Sequence, residues 1–215
     1  GYNLDNQHFG LSLDRYKLST QTYYEDPNGD YDAFSVKLPK LEREKVGLFY
    51  DVDVDGDYLK KIHLDAYEQT ITRKFENEVL TSAVHNQTQT NDKQYTQGVT
   101  LQSNFSLPAN NNLVVGTQYQ RDRVSQTTNG STYLKPISRE TQTRAYNESE
   151  QSNTSLFAQN DWHFADNWTW TLGARQYWLS SKLTRGDSNS TTNGITKDTS
   201  IGAQSTSDNA LVSAT

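Results

Sequence analysis

An acidic run at residues 51–56, Asp-Val-Asp-Val-Asp-Gly, has the type and spacing of a metal site. It copies the first half of a calcium-binding loop, in which the twelfth position carries a bidentate glutamate. Counted from Asp51, the twelfth position is Ile62, which cannot bind a cation. The run also lies between two segments with the pattern of strands. A solvated hairpin turn is therefore the favoured interpretation, and the sequence predicts no metal site.

The four histidines are the next candidates for chemistry. His63 and His163 occupy polar positions of alternating segments, and His8 follows a turn, so hydrogen bonding within the protein explains all three. His85 lies in the polar stretch 80–91, interpreted as a long external connection. It is the one histidine that we consider as an external haem or metal ligand, with a solvated loop residue as the alternative.

Tyrosine and arginine side chains in other polar stretches could contact a ligand. Tyrosine can stack on flat groups, and arginine can pair with carboxylates or anionic chelates. Ordinary solvated loops are the simpler alternative. With His85, the predicted ligand-binding set in extracellular loops is Tyr23, Tyr24, Tyr133, Arg139 and Arg144. No Ser/His/Asp spacing or carboxylate pair stands out, so no enzyme and no catalytic residue is predicted.

The elements that carry these residues are predicted from hydrophobic periodicity, which is two residues and therefore indicates β-strands. In residues 95–107, for example, Val99, Leu101 and Phe105 alternate with polar neighbours. Similar alternation occurs in segments near 9–13, 46–52, 62–66, 113–119, 156–164 and 168–178. Eight strands are predicted, the last at 210–215, and each has one apolar and one polar face.

The predicted connections alternate between short and long. The short turns are rich in Asp, Asn, Pro and Gly and lie at 53–57, 108–112 and 165–167, whereas the long polar connections are expected at about 27–43, 80–91, 129–142 and 187–207. Antiparallel strands with short turns at one end and long ones at the other are typical of an outer-membrane β-barrel. Lipid cannot hydrogen-bond an exposed backbone, so a spanning sheet must close on itself.

A barrel also explains the composition. A polar lumen accounts for the mean hydropathy of −0.89, and alternating strands need no long apolar run. The absence of cysteine excludes a disulfide scaffold. A net charge of −6 with interspersed signs provides no basic surface for nucleic-acid binding. The residues predicted to face lipid are Leu48, Leu64, Val99, Leu101, Val115, Trp162, Trp170 and Leu172.

Three other interpretations stay open at this stage. A secreted β-sandwich, such as a glycan-binding domain, also alternates, but it seldom shows this asymmetry between its ends. A structural or adhesive outer-membrane barrel would share the strands without transporting anything. The chain could also be a complete small barrel, although its long strands and abrupt last strand favour a slice of a larger one, with residues 1–215 all within the barrel domain.

Residues 155–178 resemble the TonB-dependent receptor family, in which a strand of the type Phe-x-Gln-(Asp/Asn)-(Glu/Asp)-Trp precedes a short turn and a strand of the type Leu-(Thr)-x-Gly-x-Arg-Tyr. The residues that carry the resemblance are Phe157, Gln159, Asn160, Asp161 and Trp162 in the first half and Leu172, Gly173 and Arg175 in the second, where Leu172 directly precedes Gly173. The sequence departs from the pattern at Gln176, which separates the arginine from Tyr177.

The resemblance implies a 22-stranded, plugged barrel in the outer membrane of a Gram-negative cell. Such receptors import scarce nutrients and are driven by TonB. The implied partners are outer-membrane lipid, TonB and an iron-containing small molecule or haemoprotein. Haem or a ferric siderophore is the expected transported ligand, and no covalently bound cofactor is expected.

Overall fold

The computed structural model describes residues 1–22, 29 and 31–213. These form one antiparallel sheet of ten strands and a single 3₁₀ turn, Lys135–Ile137. The strands are β1 (Tyr2–Leu4), β2 (Gln7–Thr22), β3 (Ala33–Asp53), β4 (Leu59–Leu80), β5 (Val84–Leu107), β6 (Asn111–Leu134), β7 (Arg139–Ala165), β8 (Trp168–Thr192), β9 (Ile195–Ile201) and β10 (Gln204–Ser213). In the described ranges, no helix is long and apolar enough to cross a membrane.

Each strand from β1 to β8 pairs with the next one along the chain, so the sheet is an up-and-down meander. After β8 the chain folds back as β9 on the upper part of β8 and continues as β10 along its lower part. The architecture is the predicted one, but ten strands replace eight because the stub β1 and the polar strand β9 were not counted. The sheet formed by this chain is not closed on itself.

The prediction of long connections at 80–91, 129–142 and 187–207 is wrong. Paired strands continue through these stretches and reverse in tight turns at 81–83, 135–138 and 193–194. At one of these turns Asn193 and Gly194 take φ of 49° and 80°, the left-handed values that a two-residue hairpin requires. The error has a physical reason: both faces of these strand ends are polar, so no alternation marks them.

The predicted connection at 27–43 is also shorter than expected, because β3 begins at Ala33. Residues 23–28 and 30 lie outside the described part of the chain, and Tyr23 and Tyr24 are among them.

The sheet has no hydrophobic core. Among the described residues, no hydrophobic side chain is buried, whereas Leu64, Val99, Leu101 and Trp170 are 39–58% exposed. The two buried polar side chains are Thr96 and Ser155. A water-soluble sandwich hides its apolar face between two sheets. This sheet exposes its apolar face instead, which excludes that alternative.

Candidate functional site

The cross-strand register places all eight residues predicted to face lipid on one side of the sheet, here called the apolar face. Directly paired residues share a face, and Leu64 pairs with Leu101 while Trp162 pairs with Trp170. Leu48 and Val99 both pair with Ala66 and therefore lie on the same face. Val115 and Leu172 follow on the same side at intervals of two residues along β6 and β8.

The apolar face has a defined height. On β5 it runs from Val99 to Leu107, nine residues that extend about 27 Å along the strand. At a tilt of about 40° this covers about 21 Å, close to the apolar band of an outer-membrane barrel.

Aromatic side chains border this band at both edges. Near the 165–168 turn, the Trp162 ring centroid lies 5.5 Å from that of Phe164 and 6.2 Å from that of Trp170. At the opposite edge, Tyr119 and Trp178 lie in one cross-strand row, joined through Thr154. Aromatic girdles of this kind mark the two membrane–water interfaces of a barrel.

Charged residues begin on the same face directly above the upper aromatic row. The next row contains Glu68 and Arg121, and the one above it Arg123 and Glu150. Glu150 Oε2 accepts hydrogen bonds from Arg121 at 2.7 Å and from Arg123 at 3.1 Å. These ion pairs, called the charged belt, set the upper limit of the apolar band because charges on a lipid-exposed surface are costly.

The opposite side of the sheet, the polar face, carries aromatic rings that lie across glycines of neighbouring strands. A Cβ atom on Gly98 would lie 2.4 Å from Tyr67 Cε1, and one on Gly116 would lie 2.3 Å from Phe157 Cζ. Only glycine leaves room for the ring at these sites. Phe49 covers Gly10 in the same way, so Phe49 and Phe157, which break the sequence alternation, have a structural role.

Three strands, β4, β5 and β6, contribute to a hydrogen-bonded cluster at the middle of this face, the polar-face network. Asp122 accepts hydrogen bonds from Thr96 at 2.5 Å, Gln120 at 2.8 Å and Gln94 at 3.2 Å. Tyr67 Oη in turn donates to Gln120 at 3.3 Å. Three donors satisfy the carboxylate, and no cation within the described ranges pairs with it.

Arg175 forms a second polar-face site. Its guanidinium donates to Ser155 Oγ at 2.8 and 3.2 Å and also to Gln118. The Phe157 and Tyr177 ring centroids lie 5.2 and 4.9 Å from its Cζ atom. The partners of Arg175 in the described part of the chain are all neutral. Its positive charge is therefore available to a group that comes from outside this sheet.

The acidic run and His63 form an ordinary structural pair. Asp51 Oδ1 accepts hydrogen bonds from His63 Nδ1 at 2.8 Å and from Lys61 Nζ at 3.0 Å. No group of three or more His, Asp or Glu side chains in the described ranges could hold a metal ion. The residues that follow Asp53 form the short hairpin turn between β3 and β4.

The four predicted ligand-binding residues that the structure describes lie in strands and do not meet at one site. His85 and Tyr133 are direct partners on β5 and β6, and Arg144 lies on the same face in β7. This face is continuous with the apolar face below it. Arg139 pairs with Leu134 and therefore lies on the opposite side. The interpretation of these four residues as loop residues is wrong.

The His85 imidazole is already engaged, since its Nε2 atom lies 2.9 Å from Glu78 Oε1. Hydrogen bonds from His85 and then from Gln87 hold the pKa of Glu78 below its usual value. A histidine held in this way is a poor candidate for an external haem ligand.

The family follows from the match of residues 1–211 to a model described as TonB dependent receptor-like, beta-barrel. The chain belongs to this family. Its members are receptors of the Gram-negative outer membrane, so the predicted localisation and fold class are confirmed. A comparison with curated protein sequences finds no match.

Among solved structures, the chain is similar to the ferric yersiniabactin uptake receptor FyuA from Yersinia pestis, with a TM-score of 0.62 and 14% identity. The match covers 96% of this chain and 32% of that receptor's chain, so this chain spans about a third of its length. OmpT from Vibrio cholerae aligns over 98% of this chain and 99% of its own, but with a TM-score of only 0.14 and 9% identity.

Sequence reasoning missed the polar-face network and the aromatic rings that lie across glycines of neighbouring strands. Their signal was present, because Gly98 and Gly116 interrupt strands whose neighbours supply Tyr67 and Phe157 at paired positions. Finding it requires the register between strands, which a single sequence does not supply.

Proposed function

We propose that this chain is part of the wall of a TonB-driven outer-membrane receptor that imports an iron-containing ligand, with a ferric siderophore favoured over haem. The apolar face contacts outer-membrane lipid and the polar face lines the lumen. The observation that carries this proposal is the two-sided sheet itself, with an exposed apolar band of membrane height on one side and hydrogen-bonded polar groups on the other.

The polar face has the chemistry to hold a plug or to pass a polar cargo. The Asp122 carboxylate and the Arg175 guanidinium both lie on it, and neither has an oppositely charged partner within the described residues. An anionic group of a plug domain or of a ferric chelate can therefore pair with Arg175 without breaking an existing ion pair.

Two observations favour a siderophore over haem or a haemoprotein. His85, the candidate external haem ligand, is bound to Glu78 and lies on the face that continues the lipid-facing band. FyuA, the solved structure whose fold this chain shares, is an uptake receptor for a ferric chelate.

The test is iron-limited growth of a strain that lacks the parent gene. The strain is supplied with single ferric siderophores, haem or haemoglobin, and uptake of radioactive iron is measured. We expect uptake of one siderophore to be lost and then restored by the wild-type gene, but only in a host with functional TonB. Unchanged uptake of every iron source in the deletion strain would remove the proposal.

A further inference from the structure

A long polar trough crosses the projecting part of the sheet, well above the charged belt. One side of it is a single cross-strand row, Lys37, Glu76, Gln89, Asn129, Arg144 and Asn189, in which each residue pairs directly with the next. A parallel row from Ser35 to Thr191 forms the other side, and the cavity between them has a volume of about 590 Å³. Six strands at about 4.8 Å spacing make the trough about 24 Å long.

The trough lies on the continuation of the apolar face. The strands from β4 to β7 pair without a register shift between the apolar band and the trough, so side-chain alternation keeps Gln89 and Asn129 on the same side as Val99 and Tyr119. Ten residues separate Val99 from Gln89 along β5, which places the trough about 26 Å above the band at a tilt of about 40°. It therefore faces the surroundings of the barrel and not its lumen.

The lining selects an uncharged ligand with many hydroxyl groups. Lys37 and Arg144 balance Glu76 and Glu78, so the trough has no net charge. Both carboxylates are already satisfied, Glu76 by Lys74 and Gln89 and Glu78 by His85 and Gln87.

The side chains that are left for a ligand are mainly amides and hydroxyls. Asn129, Arg144 and Asn189 are exposed and, as far as the structure describes the chain, hydrogen-bond to no other side chain. An amide side chain can donate and accept at the same time, which suits a sugar hydroxyl that does both.

We propose that this trough binds the saccharide chain of a glycolipid in the outer leaflet, laid across the strands. Three features select this occupant over a compact iron chelate: the extended shape, the absence of net charge, and the position on the lipid side of the wall. The proposal needs only the outer-membrane placement of the barrel and is independent of the transported ligand.

The test uses the full-length receptor in detergent and measures oligosaccharide binding by calorimetry. The probe is the lipid-free oligosaccharide released from the host's outer-membrane glycolipid, and maltoheptaose serves as an unrelated linear glycan. The trough variant is Asn129→Ala with Asn189→Ala. The matched control is Asn147→Ala with Ser188→Ala, which removes similar groups from the opposite face of the same sheet region. Heat-modifiable migration on a gel checks that both variants fold.

We expect the oligosaccharide to bind the wild type and the control equally, and to bind the trough variant at least about tenfold more weakly, since two hydrogen bonds are lost. Absence of binding to the wild type would overturn the proposal, as would equal weakening in the control. Equal binding of maltoheptaose would overturn the assignment to the membrane glycolipid. Iron uptake by the trough variant should remain at the wild-type level. Failure of the glycolipid proposal can therefore be distinguished from failure of the transport proposal.

Discussion

The lower and upper halves of the same strands are built for different surroundings. In the lower half, β5 and its neighbours carry leucine, valine and aromatic residues on one face and glutamine, threonine and glycine on the other. In the upper half both faces are polar, and ion pairs such as Lys74 with Glu76 replace the apolar rows. Antiparallel backbone pairing continues through both halves, with local register shifts between β3 and β4 and between β7 and β8. Backbone hydrogen bonding between strands thus extends over the whole sheet, whereas the type of side chain changes with the surroundings at each height.

The largest expected effect comes from a charge placed in the apolar band. Leu101→Arg should destabilise the folded receptor in lipid vesicles by about 2–4 kcal/mol, because the guanidinium would meet hydrocarbon. Asn91→Arg makes the same kind of change on the same face of β5 but above the charged belt, and it should cost less than about 0.5 kcal/mol. Urea titration of both variants measures the loss in free energy of unfolding. Equal losses would contradict the claim that the two halves have different surroundings.

A clash on the polar face should have the next largest effect. Gly116→Ala places a methyl group 2.3 Å from Phe157 Cζ and 2.7 Å from the Leu101 carbonyl oxygen, which should cost about 1–3 kcal/mol. Gly173→Ala is the matched control, because its nearest neighbouring atom lies 3.6 Å away. The same urea titration compares them. A Gly173 variant as unstable as the Gly116 variant would show that loss of glycine, and not the ring contact, sets the cost.

The clarity of these faces also explains what can be learned from the sequence alone. The strands of Val99, Leu101 and Trp170 can be predicted because one face meets lipid and the other meets water. Apolar and polar residues therefore alternate along them. Gln89, Asn129 and the strand β9 give no such signal, since water lies on both sides of them, and the sequence therefore suggests loops.

The candidate site was less predictable than the fold. Arg175 and the aromatic residues over glycines were visible as residues, but their partners lie on other strands and depend on the register. Arg175 contacts Gln118, which is 57 positions away in the chain. The face on which His85, Tyr133 and Arg144 lie is likewise found by following side-chain alternation along paired strands. A stretch predicted to be a loop has no such alternation, so the sequence alone does not assign the face.

A smaller effect is expected at the charged belt. Glu150→Gln removes the shared partner of Arg121 and Arg123 and should cost about 0.5–1 kcal/mol at low salt, because the pairs are partly exposed. The cost should shrink as salt is raised, since exposed charges are screened. A cost that does not change between low and high salt would indicate that packing, and not charge, holds these side chains.

The smallest effect concerns pH at the top of the sheet. The pKa of Glu78 is lowered in the folded state, so its stabilising contribution is present above the pKa of the unfolded chain and is lost as the pH falls through the lower, folded value. Glu78→Gln should therefore flatten the fall in thermal stability below about pH 4.3. Melting curves between pH 6 and pH 3 measure this. An unchanged slope would show that the His85 and Gln87 hydrogen bonds contribute nothing.

The most direct test of the two-faced wall is a cysteine scan of β5 in the full receptor, reconstituted in lipid and spin-labelled at single positions. This chain contains no cysteine that would interfere. From 98 to 107 we predict that odd positions are accessible to oxygen dissolved in lipid and even positions to a water-soluble relaxation agent. From 87 to 95, labels on both faces should be accessible to the water-soluble agent. Labels at Val99 and Leu101 that the water-soluble agent reaches as readily as those at Thr100 and Gln102 would contradict the account.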